Sequence, residues 1–401
     1  MRKKINGILA SAFIGCIVLV MVMTLITYGR NYAYGFFKSY KEQLPEDSGV
    51  FDRLQARISK LDYNAENRLW GRDEMRYAAV GFQKLMPFKD VVSIGSASMV
   101  RLSSGGYYNL MEGELSEDKV NDILTFAEKA KEECGAQTLF VYCHCALFED
   151  GLLPGDTFLL DNNAAFADEL LSRLERAGIP VTDSRVSYRR AGLTMDEAAN
   201  KSDVHWTHLM ALETAYDAAV KLNEAGFAAD AQALSRSNFI DDLRPHLLAG
   251  EYARRVGIEN VEPDDVHVLY PAYETCLRYE ELNTGVSRVG SFREAVINEG
   301  NLAADEGESY SSNAYYIYGH YLSQTHTHNE SAPEGTVLIF KDSYGTPVSA
   351  FLGLAVRDVY AVDLRSTNKS MLDWTREIKP DAVIFAYSQQ MLRDIEYVIE
   401  D

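Results

Sequence analysis

TVLIFKDSYGTPVSAFLG, residues 336–353, decides the fold. TVLIF is apolar at every position after its threonine. A strand with one wet face alternates, so this run reads as a strand covered on both faces. Gly345 lets the chain turn tightly, and Pro347 suits the first turn of a helix. The stretch is a strand, a tight turn and a helix from Pro347 to Val356. Ser343 sits in that turn, as a nucleophile, part of an anion-binding turn or a helix cap.

The same unit recurs on either side. Downstream, DVYAVDL is a strand, Ser370–Ile378 a helix, AVIFAY a strand and Gln390–Ile399 a helix. Upstream, Glu117–Cys134 is helical, Gly135 stops it, and QTLFVYC follows as a buried strand. Ala164–Ala177 is helical with Gly178 as its stop, IPVTD is a short strand, and a helix runs from Trp206 to about Leu222. Successive β-α units imply parallel pairing with right-handed crossovers. The fold class is α/β, a parallel sheet with helices on both faces. Residues 223–335 break the pattern with turn residues and short β-like runs, DDVHVLYPA, TCLRYEEL and SNAYYIYG, and read as a β-rich insertion. Residues 90–110 look β-rich, with a turn at Gly105-Gly106.

The N-terminus sets the compartment. Arg2, Lys3 and Lys4 precede an uncharged run from Ile5 to about Thr27. A bilayer core needs roughly 20 apolar residues, and flanking positive charge keeps its end cytoplasmic. A cleaved signal peptide is the rival, but its apolar region is usually about 7–15 residues. The apolar run continues past Cys16, so FIGC reads as membrane sequence rather than a lipoprotein site. The expected organisation is an anchor at 1–28, a juxtamembrane stalk with amphipathic helices at 29–85, and the α/β domain at 86–401. That domain lies outside the cell membrane. A net charge of −20 argues against nucleic-acid binding.

In parallel sheets the chemistry gathers at the carboxyl ends of the strands. Ser343 is just past one such end. KSDVHWTHLMALETA, residues 201–215, leads from another toward a helix. A hydroxyl nucleophile needs a base, and the base is held best by a carboxylate. Asp203 and His205 supply both from one loop, and Ser343 completes a triad. Asp203 or Thr207 could equally cap the following helix.

Metal readings fit less well. In YCHCALF, a strand would point His144 away from Cys143 and Cys145. His205 and His208 lack the i, i+4 spacing that puts two ligands on one helical face. His208 reads as a surface or second-layer residue, and THTHN, with His326 and His328, as a solvated loop. KDSYGTP lacks the ending of a phosphate-binding loop. No metal and no cofactor is expected. VSIGSASM, with Ser96 and Ser98, lacks the aspartate of a GDS-type turn and leads into no helix.

Asp203-x-His205-Trp206-Thr207 before an alanine-rich helix, Lys341-Asp342-Ser343-Tyr344 after an apolar strand, and VDLR after the next resemble the DHHW family. That family is similar to the SGNH-hydrolase-like domains of alginate O-acetylating proteins. The resemblance spans roughly residues 60–401 and takes in Glu66-Asn67-Arg68 and SNAYYIYGHYL. It implies a flavodoxin-like sheet with a permuted Asp, His, Ser order. It also implies Ser343 as nucleophile, His205 as base and Asp203 as its orienter. Backbone N–H groups of Ser343, Tyr344 or Gly345 would form the oxyanion hole. Arg365 would bind a substrate anion or pair with Asp363, and Trp206 would wall the pocket or sit in the core. Val204 stands where many members carry a histidine, and YCHCALFED where relatives often carry a proline-lysine segment.

The implied activity is serine acyl transfer on O-acyl groups, acetyl by the resemblance, of a surface polysaccharide. A multi-span membrane O-acyltransferase is the implied partner. A non-catalytic glycan-binding protein and a plain secreted esterase are the alternatives.

Overall fold

The computed structural model describes residues 2–38, 49–83, 91–94, 97–110, 115–145, 148, 151–153, 163–320 and 322–394. The chain divides into two compact units, residues 1–82 and 83–401.

In the first unit a helix runs unbroken over Arg2–Phe37, past the expected end of the anchor. Its segment Ser11–Phe37 is long and apolar enough to cross a membrane, with a mean hydropathy of 2.3. A signal sequence at this position would pass the same test. The amphipathic stretches that follow form helices Val50–Asn67 and Arg72–Gln83. The first of these packs back on the N-terminal helix. Trp70 N–H donates to Thr24 Oγ1 at 3.0 Å, and the Arg57 guanidinium lies over the Phe36 ring.

The second unit opens with a small antiparallel sheet of β1 (Val91–Ile94), β2 (Ala97–Arg101) and β3 (Tyr107–Asn109). Ser96 lies outside the described residues, and the chain continues past it as a strand. The main sheet takes β4 (Gln137–Cys143) and β5 (Val181–Asp183) from upstream. Two further strands, β6 (Phe239–Leu248) and β7 (Asp264–Pro271), form a separate two-stranded sheet. The insertion then gives β8 (Leu277–Glu281), β9 (Val286–Gly290) and β10 (Thr325–His328). Finally come β11 (Thr336–Lys341), β12 (Asp358–Val362) and β13 (Ala382–Ser388). The helix after β13 is described over Gln389–Asp394; the rest of its expected span lies outside the described residues.

The spatial order is β5-β4-β13-β11-β12-β10-β8-β9. The first five strands pair in parallel. Counted from β11 through the C-terminus and back to β4 and β5, they read 2-1-3-4-5, the flavodoxin-like order with its start permuted. Both faces are covered because side chains alternate. Leu139, Val141, Ile339 and Ile384 pack under helices His208–Glu224 and Gly345–Ala355. Phe140, Leu338, Phe340 and Phe385 pack under Glu117–Cys134, Asn163–Arg176 and Met371–Ile378.

The insertion departs from expectation in three ways. Its strands β8, β9 and β10 join the main sheet, antiparallel, beyond β12. THTHN is therefore strand β10 rather than a loop: alternation lets Thr327 pack against Gly353 while His326 and His328 face the other way. SNAYYIYG is helical, a 3₁₀ segment over Ala314–Tyr318, not a strand. Tyr315 and Tyr318 are buried toward the helices of the first face, and Tyr316 is half-buried.

Gly345 is required for a reason different from turn flexibility. A Cβ there would lie 2.7 Å from Lys341 Cβ and 2.8 Å from the Ala386 carbonyl oxygen. The helix start presses directly on β11 and β13. Gly345→Ala is expected to cost about 1–3 kcal/mol by overpacking, read as a lower thermal unfolding midpoint of the full chain.

Candidate active site

The turn after β11 is built by Asp342, which is fully buried. Its Oδ1 accepts the N–H of Tyr344 at 2.9 Å and of Gly345 at 3.3 Å. Its Oδ2 accepts the N–H of Ser388 at 2.8 Å, across to the end of β13. Burial pushes this carboxyl up, while the Ser388 bonds pull against that. Ser343 is thus not the cap of the following helix; Asp342 holds the turn and leaves the Ser343 side chain half-buried and reachable.

The second loop carries Asp203 and His205. It is tied down by the insertion: Asp264 accepts the N–H groups of Lys201 and Ser202, each at 2.7 Å, and the Ser202 hydroxyl at 2.6 Å. Burial pushes the Asp264 carboxyl up to about 6. Thr207, not Asp203, caps helix His208–Glu224, accepting Met210 N–H at 3.3 Å. Asp203 is left free to face His205.

The two loops meet. Ser343 Oγ lies 2.8 Å from His205 Nε2, and His205 Nδ1 lies 2.6 Å from Asp203 Oδ2. Both partners of the second contact are buried. Asp203 Oδ1 accepts Glu251 N–H at 2.8 Å. Burial alone would raise the Asp203 carboxyl; the His205 ring and backbone N–H donors outweigh it and hold it down to about 2. A carboxylate only accepts, so the Nδ1 proton faces Asp203 and the Nε2 lone pair faces Ser343. That is the polarity a general base requires.

The His205 ring is held from both sides. Tyr315 stacks on it with centroids 4.0 Å apart and planes 12° apart, and Tyr344 tilts against it at 4.9 Å. The Tyr344 hydroxyl donates to the Val204 carbonyl, which joins the two loops directly. Gly250 touches Asp203 so closely that a Cβ would fall 2.2 Å from its Oδ1. Tyr315, Gly250 and Glu251 come from the insertion and are not legible as site residues from spacing. Only the resemblance points to SNAYYIYG as part of the site.

One expectation is corrected, and three left open are narrowed. The N–H groups of Tyr344 and Gly345 are taken by Asp342, so they do not form an oxyanion hole in this geometry. Ser343 N–H has no hydrogen-bond partner among the described residues and is the remaining candidate. Trp206 is 1% exposed, packs edge-on against Tyr344 at 5.6 Å, and is core rather than pocket wall. Arg365 gives Nε and Nη2 to Asp363 at 2.9 and 2.5 Å, the pairing alternative, with Asp363 itself fully buried. His208 is buried, not at the surface, with its ring nitrogens against the His267 and Tyr315 carbonyls. Burial pulls it down to about 4.

His144 is buried against the Tyr142 hydroxyl at 3.1 Å and Cys143 is core, while Cys145 lies beside the Tyr344 hydroxyl. A cavity of about 480 Å³ opens beside β5 among Asp168, Arg185, Arg190 and Asp217, and no triad residue lines it.

No family model and no curated protein matches this chain. Solved structures do. A DHHW family protein from Eubacterium siraeum is 15% identical, over 77% of this chain and 99% of its own, with a TM-score of 0.57. Bacillus cereus PatB1 with a sulfonyl adduct is 15% identical, over 75% and 97%, with the same score. The O-acetyltransferase domain of Pseudomonas putida AlgJ is 12% identical, over 76% and 94%, with a TM-score of 0.45. The first two share this chain's fold, the one the motif resemblance implies.

Proposed function

We propose that this chain is a serine acyl-transfer enzyme, anchored by its N-terminal helix, that moves or removes O-acyl groups on a surface polysaccharide outside the cell membrane. The observation that carries the chemistry is the continuous Ser343–His205–Asp203 relay, 2.8 and 2.6 Å. The Ser343 hydroxyl proton passes to His205 Nε2 as Oγ attacks the ester carbonyl. The tetrahedral oxyanion forms near Ser343 N–H. Collapse expels the alcohol, which takes the proton back from His205 and leaves an acyl-serine ester. A sugar hydroxyl or water then attacks that ester, giving its proton to Nε2, and Oγ recovers it on release. Asp203 stabilises the imidazolium that forms between the two transfers.

The substrate class follows from the DHHW resemblance of the motifs, and acetyl is the acyl group it favours. Residues 1–28 serve as the anchor, 29–85 as the stalk and 86–401 as the catalytic domain. The basic N-terminus stays in the cytoplasm, and a multi-span membrane O-acyltransferase would supply the acyl group. The reading is tested without knowing the substrate. PatB1, which shares the fold, was solved with a sulfonyl adduct, so a sulfonyl fluoride is a suitable probe. Mass spectrometry of the treated full chain is expected to find one adduct, on the Ser343 peptide. An adduct that persists in Ser343→Ala, or no adduct on the wild type, would sink the proposal.

A further inference from the structure

Strand β10 carries a second cluster of reactive side chains, outside the triad. His326 Nε2 and His328 Nδ1 each lie 2.8 Å from the same oxygen, Asp358 Oδ1. All three ligand-capable atoms fall within 4.8 Å of one another. Sheet register produces this. His328 pairs with Asp358 across the antiparallel ladder, and His326, two residues away, faces the same side.

The far nitrogens of the two rings also face carboxylates. His326 Nδ1 is 3.5 Å from Glu280 Oε2, and His328 Nε2 is 3.8 Å from Glu330 Oε1. Metal-binding histidines commonly turn the outer nitrogen to a carboxylate, and here Glu280 stands nearest to do so. Tyr360 stacks on His326 at 4.0 Å and 3°, fixing the ring plane. Arg278 is the register partner of His328 on β8 and is exposed. Asp358, Glu280 and Glu330 gather three carboxylates around the two rings, oxygen and nitrogen donors of the kind a divalent cation takes. The three ligand side chains are all partly solvent-accessible, so an ion has a way in.

We propose that His326, His328 and Asp358 form a binding site for a zinc-class divalent cation, with a fourth position open to water. Two imidazoles and a carboxylate suit zinc, whose protein-ligand distances are about 2.0–2.2 Å. Asp358 begins β12 opposite Thr336, the start of β11, whereas Ser343 follows the end of β11. The cation site is therefore roughly 16 Å or more from the triad, a strand length away. It is structural, joining the insertion strand β10 to the parallel sheet. It does not depend on the acyl-transfer reading.

The test is equilibrium dialysis of the detergent-solubilised full chain against zinc chloride, followed by metal analysis and thermal unfolding. The wild type is expected to retain one zinc per chain and to unfold at a higher temperature with zinc. His328→Ala and Asp358→Asn should weaken retention at least tenfold and lose the thermal shift. Glu280→Gln, which keeps all three ligands and removes only a carboxylate behind His326, should weaken it less than either. Zinc-free circular dichroism of each variant checks that it has folded. The proposal is overturned if the wild type retains no zinc, or if the folded variants retain it as tightly as the wild type.

Discussion

Ser343→Ala is expected to lower acyl-ester turnover by roughly 10⁴–10⁶-fold, His205→Ala by a similar factor, and the double variant by no more than either. The reason is that one relay serves one proton. Among the described residues, Ser343 Oγ has a single base within reach, His205 Nε2 at 2.8 Å. Without the ring, Oγ has nothing to take its proton; without Oγ, the ring has no nucleophile to activate. Removing the second partner then costs nothing further. Additive losses would mean that the two side chains act separately. The assay is turnover of an acetyl ester by the full chain, comparing the three variants with the wild type. Equal rates in all four would leave the fold as a binding scaffold. Ser343→Ala should not unfold the chain, because Ser343 is half-buried and its turn is held by Asp342; circular dichroism checks that His205→Ala, which empties a buried site, has folded.

Much of this arrangement is written locally in the chain. QTLFVYC, TVLIF and AVIFAY are legible because a strand buried on both faces must be apolar throughout. The placement of Ser343 and of the Asp203–His205 loop follows from where such strands end. What escapes is set by contacts remote in sequence. THTHN is too short and too polar to announce a strand, and it becomes one by pairing with β8 and β12. Tyr315 reads as one tyrosine of three in SNAYYIYG; only the folded insertion stacks it on His205. The N–H groups of Tyr344 and Gly345 look available at a helix start, and the Asp342 side chain claims both. Gly250 has no local signal, since its need for glycine comes from Asp203, 47 residues earlier (250 − 203).

Asp203→Asn is expected to lower kcat by roughly 10⁴-fold while leaving KM nearly unchanged. The asparagine carbonyl can still accept Glu251 N–H where Asp203 Oδ1 does so now, at 2.8 Å. That orientation turns its amide nitrogen toward His205 Nδ1. The amide donates, Nδ1 becomes the acceptor, and the ring proton moves to Nε2. There it points at Ser343 Oγ, and the base can no longer take the serine proton. KM is spared because Asp203, 4% exposed behind His205, meets no substrate. A purely structural role for Asp203 would lower kcat by loss of folded protein and leave the surviving fraction fully active. A titration of active sites with the sulfonyl probe separates the two. Stability gives an independent reading. The Asp203 carboxyl is held down to about 2 against an ordinary 3.8, so its contribution is present above about pH 4 and is lost as pH falls toward 2. The size is roughly 2 kcal/mol at about 1.4 kcal/mol per unit. Wild-type unfolding should show that acid-side slope, and Asp203→Asn should lack this part of it. An identical acid dependence in both would show that Asp203 is not ionised against His205 in the folded chain, and the triad would lose its orienting member.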